Sequence, residues 1–248
     1  MEINQEEKER YMEQIYTIPV NESFDKSIAD PKCGCPFCTI FNKLEANEVE
    51  MITGASMMEP SVRIETNEKG FCKKHFSMMT NCENKLSLAL ILESHLDVLK
   101  DKLKGNFLNS VTGTKGNNAL KKAGAVSESC YICDRIELYF PKMIETAVLL
   151  WETSGDFKDK LRKQPYFCLP HYTRFLSFAK DKLDRRKFND FYDDISSVEN
   201  AYLAKIKDDV SWFCKKFDYR YESEPWYDSK DAIYRAIKFL SGSDSDEK

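Results

Sequence analysis

Eight residues carry the chemistry that this chain's sequence makes visible, and they come as two matching sets. The first is Cys35 and Cys38, then Cys72 and His75. The second is Cys130 and Cys133, then Cys168 and His171. In each set a Cys-x-x-Cys pair precedes a Cys-x-x-His pair, and an aromatic residue, Phe71 or Phe167, stands before the third cysteine. The interval from Cys38 to Cys72 is 34 positions and that from Cys133 to Cys168 is 35. The whole pattern recurs at an offset of 95 to 96 residues. A fixed offset with matching residue types marks an internal repeat.

Three thiols and one imidazole form an ordinary structural zinc shell. The ion takes four ligands in a tetrahedron, with Zn–S near ~2.3 Å and Zn–N near ~2.0 Å. A tight turn lets both members of a Cys-x-x-Cys pair reach one ion, and a Cys-x-x-His pair completes the shell. Iron–sulfur clusters prefer four cysteines in close runs, so zinc is the expected metal, at two ions per chain. Each set is read as one centre: Cys35, Cys38, Cys72 and His75 in the first half, and Cys130, Cys133, Cys168 and His171 in the second. Both centres place ligands at helix starts. Pro36 and Pro170 suit first-turn positions, where a missing N–H costs nothing. Three thiolates with a neutral imidazole and Zn²⁺ carry one net negative charge, which the positive end of a helix favours.

The remaining cysteines and the third histidine have quieter readings. Cys33 has no counterpart in the second half and is spare, or a redox-sensitive neighbour of the first centre. Cys82 and Cys214 are expected to be packing thiols. His95 falls on the apolar stripe of a helix and reads as a core histidine with satisfied hydrogen bonds. Glu45, Glu48, Asp181, Asp193 and Asp194 read as solvated helix faces. No phosphate-binding glycine loop, HExxH or GxSxG motif is present, and a four-ligand zinc shell leaves no open position for water. Catalytic residues are therefore not assigned.

The elements that must position these ligands read as helices. The fold class is all-α: two related helical halves, each anchored by a Cys₃His site, with a long C-terminal helix. Apolar residues recur every three to four positions over 5–17, 36–51, 83–104, 134–153, 186–216 and 229–241. Pro141 should kink or divide the fourth of these. Asp228 is the expected N-cap of the last helix and Gly242 its stop. The segment around Val62-Arg63-Ile64 is the one strand candidate. Gly105, Gly113, Gly116 and Gly124, with neighbouring Asn and Ser, mark a linker. The expected divisions are an N-terminal helical segment (1–30), a first metal-binding half (31–104), the linker (105–128) and a second half with C-terminal helices and an acidic tail (129–248). The aromatic stretch 216–227 either forms a recognition surface or seats the last helix.

A net charge of -4 and a pI near 5.6 offer no general attraction for nucleic acid. The most apolar run, Leu86 to Leu99, is interrupted by Glu93, Ser94, His95 and Asp97 and is too short and polar to span a bilayer. The N-terminus shows no basic-then-apolar leader. A cytoplasmic, reducing location is expected, where cysteines serve metals more often than disulfides.

CPFC at 35–38, TNEKGFCKKHF at 66–76, CYIC at 130–133, FCLPHY at 167–172, KFDYR at 216–220 and SKDAIYRAI at 229–237 together resemble an uncharacterised bacterial family, a domain of unknown function. The resemblance covers most of the chain and implies the metal motif, but no activity. Members are sometimes labelled ABC transporter substrate-binding proteins. Those receptors are exported α/β proteins, unlike the helical, leaderless pattern read here.

The leading functional expectation is a zinc-stabilised, non-catalytic interaction or regulatory protein with an unidentified protein partner, no membrane association and an undetermined oligomeric state. One alternative is a thiol- or metal-responsive sensor using Cys33. Another is an enzyme with a site between the halves, drawing on His95, Arg63 and the Asp218/Arg220 loop.

Overall fold

The computed structural model describes residues 5–103, 121 and 124–243, with side chains of the first helix from Ile15 onward. Among these residues the chain is helical and contains no strand, as the periodicity requires. The helices are α1 (Gln5–Ala29), α2 (Pro36–Thr53), α3 (Pro60–Lys69), α4 (Lys73–Asn81), α5 (Lys85–Leu103), α6 (Tyr131–Thr153), α7 (Gly155–Arg162), α8 (Leu169–Lys182), α9 (Arg185–Lys215) and α10 (Ala232–Ser241).

Two compact units divide them. The flanking unit joins the residues up to Asn42 with those from Phe140 onward, and the inserted unit runs from Lys43 to Tyr139. The boundaries fall inside α2 and inside α6, the second beside Pro141. Helix α6 is continuous through that proline rather than divided. Most of the expected linker lies outside the described residues; its end, 124–127, is a single helical turn.

In the flanking unit the core is built from aromatic rings. Phe24, Phe37, Phe140, Phe157, Phe167, Phe175 and Phe191 are all fully buried. Phe37 and Phe175 meet edge to face at 4.8 Å, as do Phe175 and Phe191 at 4.9 Å. Such pairs contribute about 0.5–1.5 kcal/mol beyond area burial. Helix α9 supplies a stripe of Phe191, Ile195, Val198 and Ile206. It starts at Asp184, whose carboxylate accepts the Arg186 and Lys187 backbone N–H groups, an N-cap that satisfies two of the four free donors. Trp151 Nε1 and Arg162 Nε donate to the two oxygens of Asp194, at 2.9 and 2.8 Å. Asp194 thus ties α6 and α7 to α9 and is not a solvated-face residue.

Helix α1 extends through Pro19 to Ala29, twelve residues past the expected end. Buried Val20, Ser23, Phe24 and Ser27 sit at helical spacing beyond the proline, so core packing outweighs the one lost backbone hydrogen bond. Helix α10 begins at Ala232, not at Asp228, which lies in a preceding short turn. Arg235 explains the shift: its guanidinium bonds Asp209, Asp231 and the Asp228 carbonyl. The aromatic stretch folds back on the end of α9. Lys216 Nζ donates to the carbonyls of Tyr221, Glu222 and Glu224, and Trp212 Nε1 donates to Pro225 O. Phe217 and Tyr219 stay 76% and 85% exposed, so the stretch both seats itself and presents two rings. Cys214 is exposed rather than packed.

In the inserted unit, Val62-Arg63-Ile64 lies within α3, so the strand expectation is corrected. Pro60 opens this helix at its first position and Gly70 closes it at φ +64, the pairing of start and stop residues that favours a helix. Arg63 donates to Leu90 O and Ser94 Oγ, at 3.0 and 2.7 Å, and locks α3 to α5. His95 is buried, with Nδ1 3.0 Å from Asn67 O, which fits the core reading. Cys82 is half-buried, its thiol turned to Met78 O.

Two glycines and one carboxylate yield tests. At Gly34 (φ +71) an added Cβ would lie 2.5 Å from Tyr166 Oη, while at Gly242 (φ +87) its nearest neighbours lie at 3.6 and 3.7 Å, an ordinary contact. Tyr166 cannot yield easily, because it is buried and stacked on Tyr202 at 4.1 Å. Gly242→Ala should cost about 1–3 kcal/mol for the backbone alone, because positive φ with extended ψ is open essentially to glycine. Gly34→Ala should cost about 2–5 kcal/mol, since overpacking adds to a similar backbone cost. Urea unfolding of both variants checks the difference, and equal losses contradict it.

Glu199, buried in α9, accepts the Phe167 backbone N–H through Oε2, and its Oε1 has no partner among the described residues. Burial pushes its carboxyl up to about 7, against the smaller opposing effect of that N–H. The folded protein therefore holds a proton that the unfolded chain releases near pH 4.5. This group's contribution to stability falls as pH rises through that window and stays low above it. Glu199→Gln should raise the melting temperature near pH ~8 relative to wild type, an advantage that disappears near pH ~4 as both forms become neutral.

Candidate metal centres

All eight ligand-type residues stand at the starts of four helices, in one repeated local geometry. Cys35, Cys72, Cys130 and Cys168 each sit just before the first residue of α2, α4, α6 and α8, and Cys38, His75, Cys133 and His171 occupy the third position of those helices. The carbonyl of each leading cysteine accepts the first helical N–H, from Thr39, Phe76, Asp134 and Tyr172, at 3.3, 3.0, 3.1 and 2.8 Å. Positions before and three into a helix turn their side chains to the same side, as in a capping box. Each helix start therefore delivers two ligand atoms to one point.

The structure pairs these points differently from the sequence expectation. Cys35 and Cys38 join Cys168 and His171, and Cys72 and His75 join Cys130 and Cys133. Both quartets keep the expected Cys₃His composition, and the eight residues are the expected ones. What is corrected is the partner of each Cys-x-x-Cys pair. Every centre takes one pair from each half of the repeat. The first quartet belongs wholly to the flanking unit and the second wholly to the inserted unit.

The separations fit a single small ion in each. A tetrahedron with the zinc bond lengths has ligand–ligand edges of about 3.5–3.8 Å. In the flanking quartet, Cys38 Sγ and Cys168 Sγ are 3.5 Å apart, and His171 Nδ1 lies 3.7, 3.4 and 3.1 Å from the sulfurs of Cys35, Cys38 and Cys168. In the inserted quartet, Cys72 Sγ and Cys133 Sγ are 4.0 Å apart, and His75 Nδ1 lies 3.2, 3.1 and 3.5 Å from Cys72, Cys130 and Cys133. Every described cysteine is a free thiol.

Electrostatics point the same way. Without a cation the thiols in a quartet cannot all ionise. Burial, and then its neighbours Cys168 and Cys38, push Cys35 well up, while hydrogen bonds from Cys168 and Cys35 draw Cys38 down. In the inserted quartet, burial raises Cys130, but the His75 hydrogen bond, the backbone N–H groups of Cys133 and Cys72 and the His75 charge together outweigh it and bring it to about 6. Burial and the Cys130 charge push Cys133 the other way. Such splitting is what mutual repulsion among close anions produces. A dication at the centre of the cluster removes it, because a coordinating thiol is deprotonated outright.

The two quartets differ in their surroundings. In the flanking quartet, Cys35, Cys38 and Cys168 are buried, and His171 packs among the rings of Phe37, Phe41 and Phe140, at 6.1, 6.3 and 5.2 Å. Gly242 and Ser243, just beyond α10, lie against this cluster. The Ser243 backbone N–H points to Cys38 Sγ at 3.4 Å, and Asn42 Nδ2 holds Ser243 O at 2.9 Å. In the inserted quartet, Cys72 and Cys133 are partly exposed. Here Glu45, 1% exposed, lies 3.1 Å from His75 Nε2 and 2.9 Å from Lys74 Nζ. Glu48 is also buried and accepts Arg135 Nε at 3.3 Å. The solvated-face reading of Glu45 and Glu48 is corrected. The signal was in the sequence: Phe41, Glu45, Glu48, Val49 and Ile52 share the apolar spacing of α2.

One comparison identifies the chain's relatives. It belongs to a family of unknown function, DUF6062. The family's sequence model matches residues 11–247, which include all eight ligand-type residues. Membership in DUF6062 agrees with the resemblance carried by the paired motifs. No curated protein and no solved structure matches the chain.

Cys33 stands apart from both quartets. Its thiol faces Asp30 Oδ2 at 3.5 Å, and burial together with that carboxylate raises its pKa.

The crossed pairing has a direct genetic test in this DUF6062 protein. Cys35→Ser and Cys168→Ser should each remove the same ion, so the double variant should keep about one metal per chain. Cys35→Ser combined with Cys72→Ser should keep about none, because it breaks both shells. Metal analysis of the purified variants distinguishes this from pairing within each half, which reverses the two results.

Proposed function

We propose that each quartet holds one Zn²⁺ as a structural ion, and that the protein is a zinc-stapled helical scaffold that acts through protein interaction in the cytoplasm rather than through catalysis. The convergence of three sulfurs and one imidazole nitrogen at tetrahedral spacing, twice, carries this reading. Thiolate-rich donor sets favour zinc over magnesium, calcium and manganese. With three cysteines and one histidine the protein itself fills all four positions, which is the pattern of a structural site. The ligands also sit at the starts of eight-residue or longer helices, where free N–H groups and the helix dipole favour a net-negative cluster. No helix among the described residues is long and apolar enough to cross a membrane, in keeping with a role off the bilayer.

A sensor reading gains support at a different place from Cys33. A raised thiol pKa makes Cys33 a weak nucleophile. The partly exposed Cys72 and Cys133 are the accessible sulfurs of a quartet, so a zinc-releasing oxidation would begin in the inserted unit.

The test is metal analysis followed by chelation. Purified protein should contain about two zinc ions per chain, and a strong chelator should lower its melting temperature, since apparent structural-zinc energies reach about 10–16 kcal/mol in small peptides. Iron, or no metal under reducing purification, overturns the proposal. Dilute hydrogen peroxide should release zinc from the inserted quartet first if the sensor reading is right, and equal resistance of the two quartets removes that reading.

A further inference from the structure

We propose that Glu45 is the positioning residue of the inserted centre: its buried carboxylate takes the Nε2–H of His75 and leaves Nδ1 as the metal ligand. This rests on the metal reading above and adds to it a residue that the ligand motifs do not contain. The geometry is specific. His75 Nδ1 faces all three sulfurs, at 3.1 to 3.5 Å, and Nε2, on the opposite side of the ring, meets Glu45 Oε1 at 3.1 Å. Both side chains are buried, at 2% and 1% exposure, so water does not compete well for either.

An imidazole can bind metal through either nitrogen, and the proton sits on the other. A carboxylate at one nitrogen fixes the tautomer and the ring plane, and makes the imidazole a better donor. A buried carboxylate needs its own compensation. Lys74 Nζ supplies part of it at 2.9 Å from the same oxygen, while Oε2 is buried without a partner among the described residues; Lys74 lies beside His75 in the first turn of α4. Glu45 comes from α2, 30 residues from His75 in sequence. The bond therefore also fixes where α4 presents its ligands relative to α2, within the inserted unit. The flanking centre is built differently, with His171 held among three aromatic rings, and so serves as the internal control.

The experiment uses the full chain with both centres loaded with Co²⁺, whose thiolate charge-transfer absorption reports each shell, and titrates it with a competing chelator. Glu45→Ala should weaken one of the two bound ions by about 10–100-fold and leave the other unchanged. Glu45→Gln, which keeps an oxygen acceptor without the charge, should restore part of that loss. In the NMR spectrum of the cobalt protein, the exchange-protected ring N–H of one histidine should be present in wild type and lost in Glu45→Ala. Should Glu45→Ala fail to fold, Glu45→Gln alone still decides, because it should weaken one ion and spare the other. Equal weakening of both ions, or of neither, overturns the role of Glu45 while leaving the two centres standing. A wild-type protein that takes up no cobalt overturns both.

Discussion

Half a coordination shell at the start of a helix is the constraint from which this architecture follows. A residue before a helix and one three positions in can aim two ligand atoms at one point, but a single helix start cannot complete a tetrahedron. Four such starts must therefore combine in twos. Each combination brings two positive helix ends to one net-negative cluster, and each joins elements far apart in sequence. Core packing and backbone hydrogen bonds lie directly beside these encounters. In the flanking unit, Phe37 and Phe167 flank ligands in sequence and lie in the buried ring cluster. In the inserted unit, Tyr131 N–H bonds Gly70 O, and Ser129 Oγ bonds Lys69 O, so the approaches to α4 and α6 are stitched together next to their sulfurs.

That constraint also explains which parts of the structure could be read from sequence. The eight residues that converge were legible because metal chemistry restricts residue type and local spacing. Most helices were legible because apolar residues kept a period near 3.6. The pairing was not, for a simple reason: either Cys-x-x-Cys pair with either Cys-x-x-His pair makes the same Cys₃His set. Local spacing has no information on which two helix starts meet. The choice is made by long-range packing, such as the Phe37–Phe167 and Phe37–Phe175 contacts at 5.9 and 4.8 Å, which join the start of α2 to the start of α8.

The other departures have the same origin. The first helix reads as ending at 17 because the burial of Val20 and Phe24 beyond Pro19 is not visible locally. Val62-Arg63-Ile64 reads as extended by its branched residues, yet it lies in α3, from which Arg63 bonds Leu90 O and Ser94 Oγ of α5. Glu45 reads as solvated by its charge, although its place on the α2 stripe marks it as buried. In each case a non-local contact overrides a local preference of roughly 1–3 kcal/mol.

The crossed pairing nests one centre inside the other along the chain. Cys72 to Cys133 closes the inserted unit, and Cys35 to His171 closes around it. Closing the longer loop is not a serious obstacle, because loop entropy grows only logarithmically, by about 0.6 kcal/mol for each doubling of length. Pairing within each half would close spans of 34 and 35 residues, against 55 and 130 for the crossed pairing. The added closure cost is about 1.5 kcal/mol, small beside the energy a structural ion would supply. Nesting is thus only slightly costlier in loop entropy than pairing within each half. What it changes is topology. Each quartet joins an entry and an exit of the same unit, so each unit can be closed by its own cluster, and neither cluster draws residues from the other unit.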